Sequence, residues 1–248
     1  MENLRIKGEF DFENYVKSQQ NDYVFCSRPL FHGTRRYAIE VCPQKRLEFF
    51  DACYKVALFA RKLILEKKIE YNIVIMQVGV NTAFEYGDLY LIDTYTTAIS
   101  YANNVAGEIG KNVFLVCKNI KQAGINLDAT MQRLVDRVMQ EYENYEASEK
   151  IVLVYQNVKF TDLYTIGGSS FIEPDDEEYT RFMIDDLYYE KEKLGRFPNT
   201  SFRLKNVEKY EAYIIRETDL RKGFKAFTEV DDIDKHLKRE KLNFIPRK

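Results

Sequence analysis

The segment from residue 45 to 68 constrains the fold most, because its apolar residues recur at helical spacing over its whole length. Such spacing predicts a long amphipathic helix with its apolar residues against a core and its lysines and arginines on the other face. At 248 residues the chain is long enough to bury a core of that size. The apolar residues of this pattern are Leu47, Phe50, Tyr54, Ala57, Leu58 and Leu65.

Short apolar runs elsewhere in the chain predict strands at residues 24–31, 73–80, 89–92, 112–119, 151–155 and 211–216. Further helices are predicted from residue 93 or 94 to 103, over 127–145 and 175–194, and from 231 to 244. Gly167 and Gly168 mark a turn. Because only five prolines and eleven glycines interrupt the chain, and no linker is visible, residues 1–248 are expected to form one α+β domain.

Charge and cysteine content exclude some classes of function. The formal net charge of −2 gives no general support for a nucleic-acid partner, although residues 234–248 are locally basic. Four cysteines and two histidines show no metal-ligand spacing, so no metal is expected. Reduced cysteines, a charged N-terminal stretch and the lack of a long apolar run indicate a cytoplasmic protein without a membrane segment.

Two separated pieces carry residues that suit a flat, polar ligand. In the first, His32 and Thr34 offer side-chain hydrogen bonds beside Gly33, where a ligand can approach the backbone. In the second, Tyr90 lies in a short strand and Tyr101 in the following helix, so that the two rings can hold a heterocycle between them. The structural alternatives are a plain turn for the first piece and core tyrosines for the second.

A third piece places a carboxylate at the start of an apolar strand. Alternation puts Glu211 on the same face as Tyr213 and Ile215, and a carboxylate on a buried face is costly unless it has a partner or a task. The structural alternative is an edge-strand charge that prevents aggregation.

In their order, these pieces resemble the signature of the ADP-ribosyltransferase superfamily, in its poly(ADP-ribose)-polymerase-like branch. That branch has a His-Gly-Ser/Thr strand, a Tyr-Phe/Leu-x-Asp strand leading into a helix with a second tyrosine, and a strand opened by glutamate. The matching residues here are 32–35, 87–93 with Ala98 and Tyr101, and 210–215, followed by a basic, aromatic segment at 220–224. The motifs cover about a fifth of the chain, and residues 122–206 have no counterpart, which implies an insertion.

The resemblance implies a split, mostly antiparallel β core that holds NAD in a cleft and needs no metal. His32 and Thr34 would bond the adenosine ribose, and the backbone of Gly33 would bond the nicotinamide amide. Tyr90 and Tyr101 would hold the nicotinamide ring. Arg35 would approach the pyrophosphate, where a cation offsets its charge.

Glu211 would be the catalytic residue, assisted by His32 and Tyr90. The reaction passes through a cation-like ribose, which a carboxylate stabilises. Ala98 stands where many members have a serine that bonds the nicotinamide amide, so one hydrogen bond is lost. A one-residue shift of the alignment would put Ala212 at the glutamate position, and Glu173 and Glu217 are weaker alternatives.

These implications predict an NAD-dependent mono-ADP-ribosyltransferase, a glycosyltransferase that moves ADP-ribose to a protein or nucleic-acid acceptor, including RNA. The chain looks like a stand-alone toxin or effector of the bacterial or phage type, which an antitoxin or inhibitor protein would hold. Two alternatives stay open at this point: an inactive transferase fold that serves as a binding module, and an RNA 2′-phosphotransferase.

Overall fold

The computed structural model describes residues 4–14, 29–78, 89–156, 158, 162–165, 201–204 and 206–234. Their contacts group them into two compact units. A helical unit contains the described residues of 34–87 and 101–150, and a sheet unit contains those of 3–33, 88–100 and 151–248. The predictions for residues 24–28, Gly167, Gly168, the helix at 175–194 and the tail beyond 234 fall outside the described residues.

The α+β class is confirmed, since the described residues form seven α-helices and a seven-stranded mixed, mostly antiparallel sheet. The strands are β1 (Arg5–Glu9), β2 (Leu30–Arg35), β3 (Leu89–Ile92), β4 (Lys150–Tyr155), β5 (Leu163–Thr165), β6 (Ser201–Leu204) and β7 (Glu211–Arg216). The helices are α1 (Arg36–Glu40), α2 (Pro43–Leu65), α3 (Ile73–Gln77), α4 (Tyr95–Asn103), α5 (Gly107–Gln122), α6 (Ala129–Ala147) and α7 (Leu220–Asp234).

The sheet has the strand order β1-β7-β4-β2-β3-β6-β5. β1 is parallel to β7, whereas β4 with β7, β2 with β3, β3 with β6 and β5 with β6 are antiparallel. β4 lies between β7 and β2, and all its residues after Lys150 are buried. Residues 122–206, which the resemblance treats as an insertion, therefore contribute β4, β5 and β6 to the sheet itself.

The core of the sheet unit is rich in aromatic rings. Phe31 of β2 packs edge-on against Tyr95 of α4 and Phe227 of α7, with ring centroids 5.4 and 4.6 Å away. The Tyr95 hydroxyl donates to the carbonyl of Leu220 at 2.9 Å, which fixes the start of α7. Gly223 lies against the Tyr95 ring so closely that a Cβ there would collide with the ring. These contacts hold α7 against the middle of the sheet.

Two predicted strands are helices in the structure, and those predictions are wrong. Residues 73–77 form α3, where the Asn72 side chain accepts a hydrogen bond from the Ile75 amide at 3.1 Å and caps the helix. Residues 112–119 belong to α5. A short apolar run has the same composition in a buried strand and a buried helix. The residues of α5 that are buried recur at helical spacing: Gly110, Val113, Phe114, Val116, Cys117 and Ile120.

The predicted long helix is confirmed as α2. Of the six apolar residues named for its buried face, Ala57 is buried and Phe50 is partly buried, whereas the other four are exposed. α2 packs on α5 and α6 through small and medium side chains. Those residues are Phe49, Ala52, Cys53, Val56, Ala57, Ala60, Leu63 and Ile64. Leu47, Tyr54, Leu58 and Leu65 point away from the core and are exposed. Alanine and cysteine carry little hydrophobic signal in a sequence, so the leucines and the tyrosine dominate the pattern although they lie on the outer face.

The other predicted boundaries shift by smaller amounts. β2 runs through His32 and Gly33 instead of ending there. The C-terminal helix α7 begins at Leu220, well before the predicted residue 231. Strands β3, β4 and β7 and helices α4 and α6 lie where the sequence predicts them. No helix among the described residues is long and apolar enough to cross a membrane.

Candidate functional site

His32 of β2 and Tyr90 of β3 lie on neighbouring strands of the sheet unit, although 58 residues separate them in the chain. The Nδ1 atom of His32 is 2.8 Å from the backbone oxygen of Tyr90. A carbonyl oxygen can only accept, so Nδ1 must carry the proton, and Nε2 is then an acceptor in the neutral ring. The imidazole therefore fixes the backbone of β3 at the residue that the sequence singled out.

Tyr90 belongs to a polar row that crosses three strands. It is paired with Arg203 of β6, which is paired in turn with Tyr164 of β5. Both tyrosines are half-buried, and Arg203 is buried. The sequence analysis did not identify Arg203 or Tyr164. The available signal was the alternation in 201–204, where Arg203 stands between the apolar Phe202 and Leu204.

Alternation along the strands assigns the side chains to the two faces of the sheet. Phe31 is paired with Ile92, and both belong to the core cluster that contains Ile215. Tyr90, two residues before Ile92, and Glu211, four residues before Ile215, share that face. His32, next to Phe31, points to the opposite face. The structure therefore brings Tyr90 and Glu211 to one face, and His32 reaches β3 from the other.

Glu211 begins β7 and is paired with an arginine. Its side chain is 44% exposed, and Oε1 is 3.0 Å from Nη2 of Arg5 on β1. Glu211 therefore shares the face of Ile215, which is buried as predicted, but its own side chain is exposed at the start of the strand. The alternative of an edge-strand charge does not apply, because β7 lies between β1 and β4. Arg5 was not identified from the sequence, since only the parallel pairing of β1 with β7 places it opposite Glu211.

Arg35 has a partner in the backbone of the helical unit. It is buried, and Nη1 donates to the carbonyl of Ser148 at 2.9 Å and to that of Glu146 at 3.5 Å. These carbonyls lie at the C-terminal end of α6, where a cation satisfies backbone acceptors and the negative end of the helix dipole. The geometry favours a structural role for Arg35, and its contact with a pyrophosphate remains a prediction.

The remaining predicted residues lie in different surroundings. Thr34 and Tyr101 belong with Arg35 to the helical unit, and Tyr101 is 51% exposed on α4. Ala98 is fully buried in the core of the sheet unit, where a serine hydroxyl would need a partner. Gly33 is half-buried in β2.

Of the two other glutamates considered for the catalytic role, Glu217 lies within the described residues and Glu173 does not. Glu217 is exposed in the 3-10 turn Glu217–Asp219 after β7. Gly87, Asp88 and Glu173 lie outside the described residues.

Buried cysteines in the helical unit show no sign of a reactive site. Burial raises the pKa of the Cys53 thiol well above its usual value and that of Cys117 to about 12, so both are protonated thiols at neutral pH. Within the part of the chain that the structure describes, no group of three or more His, Cys, Asp or Glu side chains is arranged to hold a metal ion.

No family model, curated protein or solved structure matches the chain. The resemblance to ADP-ribosyltransferases therefore rests on the sequence motifs alone.

Proposed function

We propose that the protein is an NAD-dependent mono-ADP-ribosyltransferase of the toxin or effector type. The observation that supports this best is the bond between His32 Nδ1 and the Tyr90 carbonyl, at 2.8 Å. Two motifs far apart in the sequence come together in the middle of the sheet. Tyr90 shares a face of that sheet with Glu211, so these side chains of the second and third motifs lie on the same side of the sheet.

In the proposed reaction the bond between nicotinamide and the ribose C1′ breaks, and its electron pair leaves with nicotinamide. The acceptor's nucleophile then forms the new bond to C1′ and loses its proton. Glu211 stabilises the positive charge that develops on the ribose. Arg5 holds Oε1 of Glu211, and a carboxylate has a second oxygen that can accept a ribose hydroxyl.

The contacts assign His32 a positioning role in this proposal. Its bond to the Tyr90 backbone sets the strand that carries the nicotinamide-binding tyrosine. The ring lies on the opposite face from Glu211, which favours this role over direct contact with the reacting ribose. The proposed NAD site in the sheet unit thus consists of Gly33, Tyr90 and Glu211, with Arg5 and His32 as positioning residues.

The positioning role of His32 predicts a difference between two substitutions. The side-chain nitrogen of asparagine can replace Nδ1 as a donor to the Tyr90 carbonyl, whereas alanine cannot. We expect His32→Ala to lower the rate of nicotinamide release on the order of 10²-fold, because small displacements of positioning groups cost that much. We expect His32→Asn to keep most of the rate.

The matched control is His236→Ala, which removes the only other histidine of the chain and should leave the rate unchanged. The measurement is the release of nicotinamide from NAD, followed by chromatography. Equal losses in His32→Ala and His32→Asn would contradict the positioning role and favour direct contact of the imidazole with NAD.

A further inference from the structure

Helix α2 carries a second apolar stripe on the side away from its core. Leu47, Tyr54, Leu58 and Leu65 are 39, 36, 37 and 66% exposed. With 3.6 residues per turn, these four positions fall within about 40° of one another around the helix axis. The buried residues of α2 lie on the opposite side. In the part of the chain that the structure describes, the stripe is therefore a straight, partly exposed line along α2.

Two charged residues complete a regular pattern within this stripe. Asp51 and Arg61 fall between the apolar positions, so that the spacings from Leu47 to Leu65 are four, three, four, three and four residues. Alternating steps of three and four are the core positions of a coiled-coil heptad. Apolar residues at these spacings on the outer side of a helix form a surface that a second helix can cover.

The spacing of the six positions is the same when it is read in either direction. If a second copy of α2 lies antiparallel to the first, Leu47 meets Leu65 of that copy and Tyr54 meets its Leu58. Asp51 then meets Arg61 of the copy, and the reverse contacts repeat all three pairs. Each residue finds its complement in one arrangement, which is the property of an interface with two-fold symmetry.

The charges distinguish the antiparallel arrangement from the parallel one. In a parallel pair Asp51 would face Asp51 and Arg61 would face Arg61, which is repulsive. Asp51 already binds Lys55 of its own helix through Oδ2 at 2.7 Å, and a carboxylate can accept further bonds at its other oxygen. Among the described residues, the side chain of Arg61 takes part in no hydrogen bond or ion pair.

We propose that this stripe is the interface of an antiparallel homodimer, with α2 of one copy against α2 of the other. The six positions span about 27 Å of helix at 1.5 Å per residue. An interface made of one helix pair is small, so the dimer should form with a dissociation constant on the order of micromolar. This inference does not rest on the proposed function, since the stripe belongs to the helical unit and contains none of the proposed site residues.

The first test is sedimentation equilibrium of the full chain from about 1 to 100 μM. We expect a monomer–dimer equilibrium for the wild type. For Leu58→Glu we expect the dissociation constant of the dimer to rise at least about ten-fold. The control is Leu115→Glu, which changes a leucine that is 43% exposed on α5 and should leave the affinity unchanged. A wild type that stays monomeric throughout, or a dimer that Leu58→Glu does not weaken, would overturn the proposal.

The second test exchanges the charges and addresses the orientation of the helices. Asp51→Arg and Arg61→Glu should each weaken self-association, because each places like charges opposite one another. When the two variants are mixed, they should form a heterodimer, because one presents two cations to the two carboxylates of the other. The double variant should dimerise like the wild type. A weaker dimer for each single variant than for the wild type supports the antiparallel register, because a parallel pair places like charges opposite one another in the wild type as well. Single variants that dimerise as tightly as the wild type contradict it. Recovery in the mixture and in the double variant shows that the losses come from the charges. Circular dichroism confirms that every variant is folded.

Discussion

Replacing Glu211 by glutamine is expected to lower the rate of nicotinamide release from NAD by about 10²–10³-fold. Glutamine keeps the size of the side chain and removes its charge, so it cannot stabilise a cation-like ribose. The ion pair with Arg5 is also lost, but its side chains are 55% and 44% exposed, and such pairs contribute little to stability. Folding should therefore survive the change, and the loss should appear in the rate alone.

The matched control for this substitution is Glu217→Gln. Glu217 follows β7 directly and is the alternative carboxylate within the described residues. Its substitution should leave the rate nearly unchanged. A full rate in Glu211→Gln together with a large loss in Glu217→Gln would move the catalytic role to Glu217. Full rates in both variants would show that neither carboxylate takes part in the reaction.

Replacing Phe31 by alanine is expected to lower the free energy of unfolding by about 3–5 kcal/mol. Phe31 is 2% exposed in the core of the sheet unit, and its ring touches Tyr95 and Phe227. The substitution leaves a cavity between β2, α4 and α7. This loss is a large share of the 5–15 kcal/mol that stabilises a typical domain.

Urea denaturation followed by circular dichroism measures this loss. The matched control is Phe224→Ala, which truncates a phenylalanine of α7 that is 49% exposed and should cost less than about 1 kcal/mol. Similar losses for the two variants would contradict the packing of Phe31 at the centre of the sheet unit.

The elements that the sequence predicts correctly have a strong local signal. β3, β4 and β7 are short runs of mostly apolar residues, and α6 is capped by Asp128, whose carboxylate accepts from the amides of Thr130 and Met131. The run in α5 is equally apolar, but the buried positions continue with helical spacing from Gly110 to Ile120, beyond the predicted strand at 112–119. The period of the pattern decides such cases better than its hydrophobicity.

Only those residues of the site that belong to a recognisable sequence motif could be predicted. His32, Tyr90 and Glu211 stand out in the sequence, but their partners Arg5 and Arg203 depend on which strands are neighbours. That order is set by packing over long separations in the chain, so no local pattern reveals it. The exposure of Glu211 was not predictable either, because alternation assigns the residue to the face of Ile215 but does not say where along β7 the cover of that face begins.

The outer stripe of α2 shows how a correct pattern can carry a wrong conclusion. Its leucines and tyrosine have the spacing of a buried face, and a monomer that packs only one side of the helix leaves them exposed. A face of this kind is explained when another surface covers it. In the proposed antiparallel dimer, α2 of a second copy supplies that surface.

The most direct test of the central claim is the transfer of label from NAD that carries the label in its adenylate part. The wild-type protein and this NAD are incubated in two separate mixtures, one with the protein fraction and one with the RNA fraction of a cell lysate. The proposal predicts label in one macromolecular fraction, with one nicotinamide released for each ADP-ribose attached. Release of no nicotinamide and label in neither fraction would contradict it.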